Sequence, residues 1–215
     1  MTLPERRLVR AFDTHRLMSS RLLRVTALER LVGRDEAPQV EVLRRAVAAR
    51  PGAVQDRLSG IPYADIVDAV FRRPNPMASR FAGGDRGAWY AAFELTTAQA
   101  EVGYHRTRML AEHGVYEDTV EYFDFLADFS AELHDLRGDG RFADCLAPES
   151  YVASQTLARR LFEAGSVGIV YPSVRHAGGN CIAAFYPELV VNVRRGPALR
   201  FRWTGGPTPT IEALA

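Results

Sequence analysis

Apolar residues recur at intervals of three and four through the first part of the chain, separated by arginines and other polar residues. The positions that set this pattern are Leu3, Leu8, Val9, Phe12, Leu17, Leu22, Leu23, Leu28 and Leu31. Such spacing predicts amphipathic helices, here with a break near Thr14. A further helix is predicted over residues 40–49, ended by Pro51 and Gly52. We therefore expect residues 1–59 to form a helical N-terminal extension.

After residue 60 the pattern changes to short apolar runs separated by glycine and proline, which is typical of strands joined by turns. Residues 64–71 are predicted as a short helix or strand. Further strands are predicted over residues 89–93, 119–136, 167–172, 181–186, 189–193 and 198–203. One helix is predicted to begin with a threonine cap at Thr96 or Thr97, and another to cover residues 148–165. Residues 60–205 therefore form a predicted α+β domain, followed by a tail, 206–215, that is expected to fray.

The composition excludes several classes of function. All 27 lysine-plus-arginine positions are arginine, so no mechanism can use a lysine Schiff base or the lysine of a P-loop. Two distant cysteines, Cys145 and Cys181, predict neither a disulfide framework nor a zinc site of paired cysteines. No run of 18 apolar residues predicts a membrane span. We expect a soluble, cytoplasmic protein that uses no metal.

The first 60 residues are locally basic, with 12 arginines against seven acidic side chains. A basic region of this kind can bind nucleic acid, and it can equally be the solvated face of a helix. The region has no interleaved aromatic residues and no recognised motif, so the solvated face is the preferred interpretation. Its apolar stripes need a covering surface, either on a partner or on a second copy of the chain.

The candidate chemistry lies in residues 77–105 and 171–179. Arg80 opens the first stretch before a glycine-bearing turn, Tyr90 lies in the aromatic strand, and Glu101 and His105 lie one turn apart on the following helix. Ser173 follows the apolar strand at 167–172, beside a loop that carries two glycines. Each residue also has an ordinary structural interpretation: a surface arginine, a core tyrosine, a helix-surface carboxylate, a partly buried histidine and a turn serine.

Taken in order, these motifs resemble the RES domain, a family named for its arginine, glutamate and serine. The motifs are Arg80-Phe81, Trp89-Tyr90, Thr97-Ala98-Gln99-Ala100-Glu101 with His105, and Tyr171-Pro172-Ser173-Val174-Arg175 before Gly178-Gly179. The resemblance covers about residues 60–205. It implies an ADP-ribosyltransferase-like fold, a split antiparallel sheet around an NAD cleft. The family comprises toxins of toxin–antitoxin pairs, usually encoded beside an Xre-like helix-turn-helix antitoxin.

The resemblance assigns roles to particular residues. Glu101 would orient the ribose and stabilise the positive charge that develops as nicotinamide leaves. Tyr90 would stack on nicotinamide or hold the ribose, and Arg80 would clamp the pyrophosphate. Ser173 would contact a phosphate or the ribose, and His105 would bind phosphate or orient Glu101. The family's further arginine on an early strand has Arg72 or Arg73 as its counterpart, and NAD would be bound as a substrate.

The predicted function is therefore that of a toxin that degrades NAD by cleaving the nicotinamide–ribose bond, with phosphate or water as acceptor. The runner-up transfers ADP-ribose to a protein side chain. A third interpretation is a non-catalytic protein that binds RNA or DNA, and a fourth is an interaction module without activity. The predicted partner is the Xre-like antitoxin, through which nucleic acid would be contacted only indirectly.

Overall fold

A computed structural model describes residues 2–20, 62–72 and 79–214 of the chain. Seven strands form one sheet: β1 (Arg6–Ser19), β2 (Trp89–Ala92), β3 (Glu117–Asp135), β4 (Gly168–Pro172), β5 (Asn180–Ala184), β6 (Val191–Thr204) and β7 (Thr210–Leu214). The described α-helices are α1 (Ala64–Arg72), α2 (Leu95–His113) and α3 (Val152–Glu163), with 3-10 turns at Gly140–Leu146 and Pro187–Leu189. The predicted mixture of helices and strands is confirmed.

The sheet is organised around β3. The strand order is β1-β2-β5-β4-β3-β6-β7, and β1 also pairs with β3, so the first five strands of that order form a closed ring. β1 and β3 pair antiparallel from Arg6 opposite His134 to Ser19 opposite Tyr122. Two links of the ring are short: a single pair joins β1 to β2, and two pairs join β3 to β4, the parallel strands of the sheet.

The two faces of the sheet carry separate apolar cores. Successive side chains of a strand point to opposite faces, and in β2 Trp89 packs into one core while Tyr90 packs against the other. α2 and α3 cover the Tyr90 face, where Leu161 is fully buried. α1 covers the opposite face, where Tyr63 meets the ring of Phe125 edge-on at 5.6 Å. The face under α2 and α3 carries the candidate site.

The prediction of a helix in the first residues is wrong for residues 6–19, which form β1. The buried positions of this strand are Val9, Ala11, Thr14 and Leu17. A bulge between Ala11 and Thr14 interrupts the alternation of period two. After the bulge the buried positions are three residues apart, which resembles the spacing of a helix. The apolar but exposed residues Leu8 and Phe12 add to this helix-like pattern. The remaining predicted helices before residue 60 lie outside the described residues.

Two further predictions are corrected near the C-terminus. The strands predicted over 189–193 and 198–203 are one strand, β6, because Gly196 and Pro197 lie at a bulge opposite Asp124 and the strand continues beyond it. The tail does not fray, since β7 pairs with β6 from Ala198 opposite Leu214 to Arg202 opposite Thr210. Residues 64–71 form a helix, and the strand predicted over 119–136 is confirmed as β3.

Candidate active site

α2 carries Glu101 and begins one residue before the predicted threonines. Glu94 occupies the N-cap position, and its side chain makes no capping hydrogen bond to the backbone. The hydroxyl of Thr97 instead donates to the Glu94 carboxylate at 2.8 Å. The prediction of a threonine cap is therefore wrong. The helix ends at Gly114 in the left-handed conformation.

Glu101 meets Ser173 across a gap of 72 residues in the sequence. The Ser173 hydroxyl donates a hydrogen bond of 2.7 Å to Oε1 of Glu101. The thiol of Cys181, on the neighbouring strand β5, lies 4.0 Å from the same oxygen. A hydrogen bond to an ionised carboxylate is shorter and stronger than one between neutral groups. The fold thus joins two of the residues that the sequence singled out.

The backbone of the loop after β4 fixes the direction of the Ser173 hydroxyl. Its oxygen accepts hydrogen bonds from the backbone N–H groups of Arg175, at 3.1 Å, and His176, at 3.0 Å. The Ser173 backbone N–H closes the loop on the Gly179 carbonyl at 2.8 Å. Since a hydroxyl has one proton and two lone pairs, these contacts direct the Ser173 proton to Glu101.

Two side chains on which the charge of Glu101 acts, Cys181 and Tyr171, remain protonated. Burial raises the pKa of the Cys181 thiol, and the negative charge of Glu101 raises it further. Burial also raises the pKa of Tyr171 well above its usual value, with Cys181 and Glu101 adding to the effect. Both groups therefore remain neutral around pH 7.

Tyr90 and Arg80 hold the turn at residues 79–82. The Tyr90 hydroxyl accepts from the backbone N–H of Phe81 at 2.9 Å and contacts the Ser79 hydroxyl at 2.9 Å. Burial raises the pKa of Tyr90 to about 12. Nη1 of Arg80, itself 8% exposed, donates to the carbonyls of Cys145, at 3.0 Å, and Ala147, at 2.9 Å. Both side chains therefore have structural roles in addition to any contact with a ligand.

His105 lies one helical turn after Glu101 and is exposed. Partial burial of its ring lowers its pKa, and although Glu101 opposes this change, Arg175, Arg108 and Arg80 add to it. The ring is therefore neutral at pH 7 and can accept a proton or a hydrogen bond there.

Arg72 is not brought together with these residues. It pairs with Asp68 at 2.6 Å on α1, the helix on the opposite face of the sheet, and Arg73 lies outside the described residues. Arg16 is one of the arginines of the early strand β1. Its Nη1 donates to the Tyr90 carbonyl at 2.9 Å and its guanidinium lies 4.8 Å from the centre of the Trp89 ring.

The sequence did not single out Arg16 as a candidate site residue, because its segment was predicted as a helix. Burial lowers its pKa to about 10, so it remains charged at pH 7. Its Nε is buried and has no hydrogen-bond partner among the described residues. A buried charge with an unpaired donor is costly in a folded protein, and this cost marks Arg16 as a candidate for ligand contact.

Two surface cavities lie away from this cluster. One, of about 210 Å³, lies between the 3-10 turn at Gly140–Leu146 and α3, and the other, of about 140 Å³, lies beside α1 and Pro187. Neither is lined by Glu101 or Ser173. In the three described stretches of the chain, no group of three or more histidine, cysteine and acidic side chains could hold a metal ion. No helix within those stretches is long and apolar enough to cross a membrane.

No curated protein matches the chain. Among solved structures, a chain of the M. tuberculosis MbcT–MbcA toxin–antitoxin complex aligns with a TM-score of 0.39 and 14% identity. The alignment covers 52% of the present chain and 64% of that chain, which is less than two thirds of its length. The family model of the RES domain matches residues 54–204. The chain therefore belongs to the RES domain family.

Proposed function

We propose that the protein cleaves the bond between nicotinamide and ribose in NAD. The observation that carries this proposal is the 2.7 Å hydrogen bond from Ser173 to Glu101, the serine and the glutamate of the family motif. The strand pairings support it as well. Long pairings join one group of strands, β1, β3, β6 and β7. A second group, β2, β5 and β4, is paired in the same way. Only short pairings join the two groups. This arrangement is compatible with the split sheet of an ADP-ribosyltransferase-like fold.

The chemistry needs a fixed carboxylate and no acid for the leaving group. Nicotinamide is cationic in NAD and departs as a neutral molecule, taking the electron pair of the glycosidic bond. Positive charge then develops on the ribose C1′ and ring oxygen, and a carboxylate held nearby stabilises it. Glu101 is the proposed carboxylate. Ser173 fixes one of its oxygens, which leaves the other free to bind a ribose hydroxyl.

The surrounding residues supply binding groups. Arg80 commits Nη1 to two backbone carbonyls, so its contact with the pyrophosphate is proposed through the other guanidinium nitrogens. Tyr90 lies on the same face and is proposed to line the nicotinamide–ribose end of the cleft. Neutral His105 is a proposed partner of a phosphate or ribose. We assign the early-strand arginine of the family to Arg16 in place of Arg72.

Family membership also supports a toxin role with an antitoxin partner. One similar solved structure is that of a toxin–antitoxin complex, and we propose that this chain likewise has an antitoxin, of the Xre-like type, which blocks the cleft. An enzyme that consumed NAD without restraint would arrest its own cell. If the purified complex with the proposed antitoxin consumed NAD as fast as the free protein, this partner role would be wrong.

The direct test is NAD consumption by purified protein, with and without inorganic phosphate. The test variant is Glu101→Gln, and the matched control is Glu112→Gln, on the same helix with a side chain that is 62% exposed. Consumption that depends on Glu101 supports the proposal. A requirement for phosphate identifies a phosphorylase with ADP-ribose-1″-phosphate as product, while release of ADP-ribose without phosphate identifies a glycohydrolase.

Transfer to protein is the alternative outcome of the same chemistry. It predicts label from NAD on a protein when the enzyme is mixed with cell extract, and no label with Glu101→Gln. Absence of both NAD loss and labelling contradicts the proposed function. Salt-sensitive binding to DNA or RNA without NAD turnover would then favour the nucleic-acid-binding interpretation.

A further inference from the structure

The loop at residues 173–179 contacts α2 at three positions, each about one helical turn after the last. The contacts are Thr97 Oγ1 to His176 Nδ1 at 2.8 Å, Ser173 Oγ to Glu101 Oε1 at 2.7 Å, and the Arg175 guanidinium over the Tyr104 ring at 3.4 Å. Residues three and four apart lie on one face of a helix. Thr97 precedes Glu101 by four residues and Tyr104 follows it by three, so the two outer contacts lie on either side of the central one.

The outer contacts hold the same two residues that orient the Ser173 hydroxyl. Its oxygen accepts hydrogen bonds from the backbone N–H groups of Arg175 and His176. The side chain of each of these residues is attached to α2 by one outer contact. A shift of either side chain therefore moves an N–H group that directs the Ser173 proton to Glu101.

The contact between Thr97 and His176 has a defined proton arrangement. The hydroxyl of Thr97, a fully buried residue, donates its only proton to the Glu94 carboxylate at 2.8 Å. Nδ1 of His176 must therefore be the donor to Thr97. A Cβ at Gly179 would lie 2.3 Å from Thr97 Oγ1 and 2.9 Å from His176 Nδ1, so the backbone packs directly against this hydrogen bond.

The contact between Tyr104 and Arg175 continues to the segment before α3. Nη2 of Arg175, whose side chain is 8% exposed, donates to the Pro148 carbonyl at 2.5 Å. The Tyr104 hydroxyl donates to Glu149 at 2.9 Å. Because Glu149 is 70% exposed, water competes for this bond. Stacking of the Arg175 guanidinium on the Tyr104 ring does not depend on this exposed bond.

We propose that Thr97 and Tyr104 are positioning residues, which hold His176 and Arg175 in place and thereby keep the Ser173 hydroxyl directed at Glu101. As a statement about catalysis this rests on the proposed function. The claim about the orientation of the Ser173 hydroxyl does not rest on the proposed function, because hydrogen exchange of the N–H groups can be measured without substrate.

The first measurement is backbone hydrogen exchange of residues 173–179 in the full chain. Thr97→Val removes the hydroxyl and keeps the shape, with Thr97→Ser as its control. Tyr104→Leu removes the ring, and its control Tyr104→Phe keeps it. We expect exchange of the Arg175 and His176 amides to be at least about 10-fold faster in the valine and leucine variants, and near wild type in the controls. Unchanged exchange in both test variants overturns the proposal.

The second measurement is NAD turnover by the same four proteins. A displacement of about 1 Å at a reacting group costs about 100-fold in rate. We expect kcat to fall by about 10- to 100-fold in the valine and leucine variants, with KM within about threefold of wild type. We expect kcat of the two control variants to be near that of wild type. Faster exchange with unchanged kcat overturns the proposal, as does a change confined to KM. If wild type consumes no NAD, the proposed function fails, and the exchange result alone decides whether these residues position Ser173.

Discussion

Ser173→Ala tests the central contact of the site. The substitution removes the 2.7 Å hydrogen bond to Glu101 and leaves two backbone N–H groups, of Arg175 and His176, without their acceptor. A hydrogen bond to a charged group contributes about 1.5–3 kcal/mol. The two N–H groups lie at a partly buried loop where water can replace the lost oxygen, so we attribute the main effect to the carboxylate.

The expected magnitude follows from this contact energy. Without the Ser173 hydroxyl the Glu101 carboxylate is no longer held in place. The free energy needed to orient it is then added to the activation free energy of the reaction. At 1.36 kcal/mol per tenfold change in rate, 1.5–3 kcal/mol corresponds to a fall in kcat of about 10- to 150-fold. The matched control is Ser130→Ala, at an exposed position on β3, which should retain wild-type turnover.

The assay is loss of NAD with separation of nicotinamide and ADP-ribose products by chromatography, at saturating NAD so that kcat is read directly. Circular dichroism and thermal unfolding of both variants verify that the fold is kept. A Ser173→Ala protein that is folded and keeps more than a third of wild-type kcat would refute the argument that this hydroxyl holds the catalytic carboxylate.

Three further predictions concern stability. Tyr90→Phe should lower the free energy of unfolding in urea by about 1–3 kcal/mol, because the buried Phe81 N–H loses its acceptor; a change below about 0.5 kcal/mol would contradict this. Gly179→Ala should lower the melting temperature and NAD turnover because its Cβ would overlap Thr97, whereas Gly140→Ala, which meets open space, should do neither. Burial lowers the pKa of His134 below its ordinary value of 6.5, so the unfolded chain takes up a proton first and stability should fall as pH drops below about 6.5. His134→Gln should flatten that part of the stability curve, and an unchanged slope would exclude the histidine as its cause.

The sequence singled out two residues that the fold brings together, whereas it misassigned the first strand as a helix. Glu101 and Ser173 were paired through the family motif, and the structure places their side chains in contact. Spacing alone could not have paired them, because the two residues meet only when α2 is laid over the end of β4. The resemblance therefore supplied information about tertiary structure that periodicity does not contain.

The error at β1 has a local cause and a distant effect. The bulge between Ala11 and Thr14 changed the apparent period, and the partner that identifies the segment as a strand, β3, lies far along the chain. With residues 6–19 assigned to a helix, Arg16 could not be considered as the arginine of an early strand. Arg72 or Arg73 was predicted for that role, and Arg72 lies on α1, which covers the face opposite Tyr90.

The side chains of Arg80 and Tyr90 show a second limit of sequence reasoning. Both were predicted as ligand contacts, and both are also bonded to the protein's own backbone, Arg80 to two carbonyls and Tyr90 to an N–H group. Residue type indicates which ligands a side chain suits, but it does not reveal which protein groups already occupy its donors and acceptors. Substitution of either residue will therefore alter the turn as well as the proposed cleft.

The pairing of β1 with β3 determines when the sheet can close during synthesis of the chain. β1 emerges first from the ribosome, yet Arg6 pairs with His134 and Ser19 with Tyr122, so the strand has no partner until β3 has been made. Contacts of such long sequence separation form slowly. The serine loop and Cys181 come later still, and the carboxylate on α2 remains without them until then. A nascent chain that ends before Ser173 therefore contains Glu101 without the hydroxyl that contacts it, so the proposed site can be assembled only after residues 173–181 have been made.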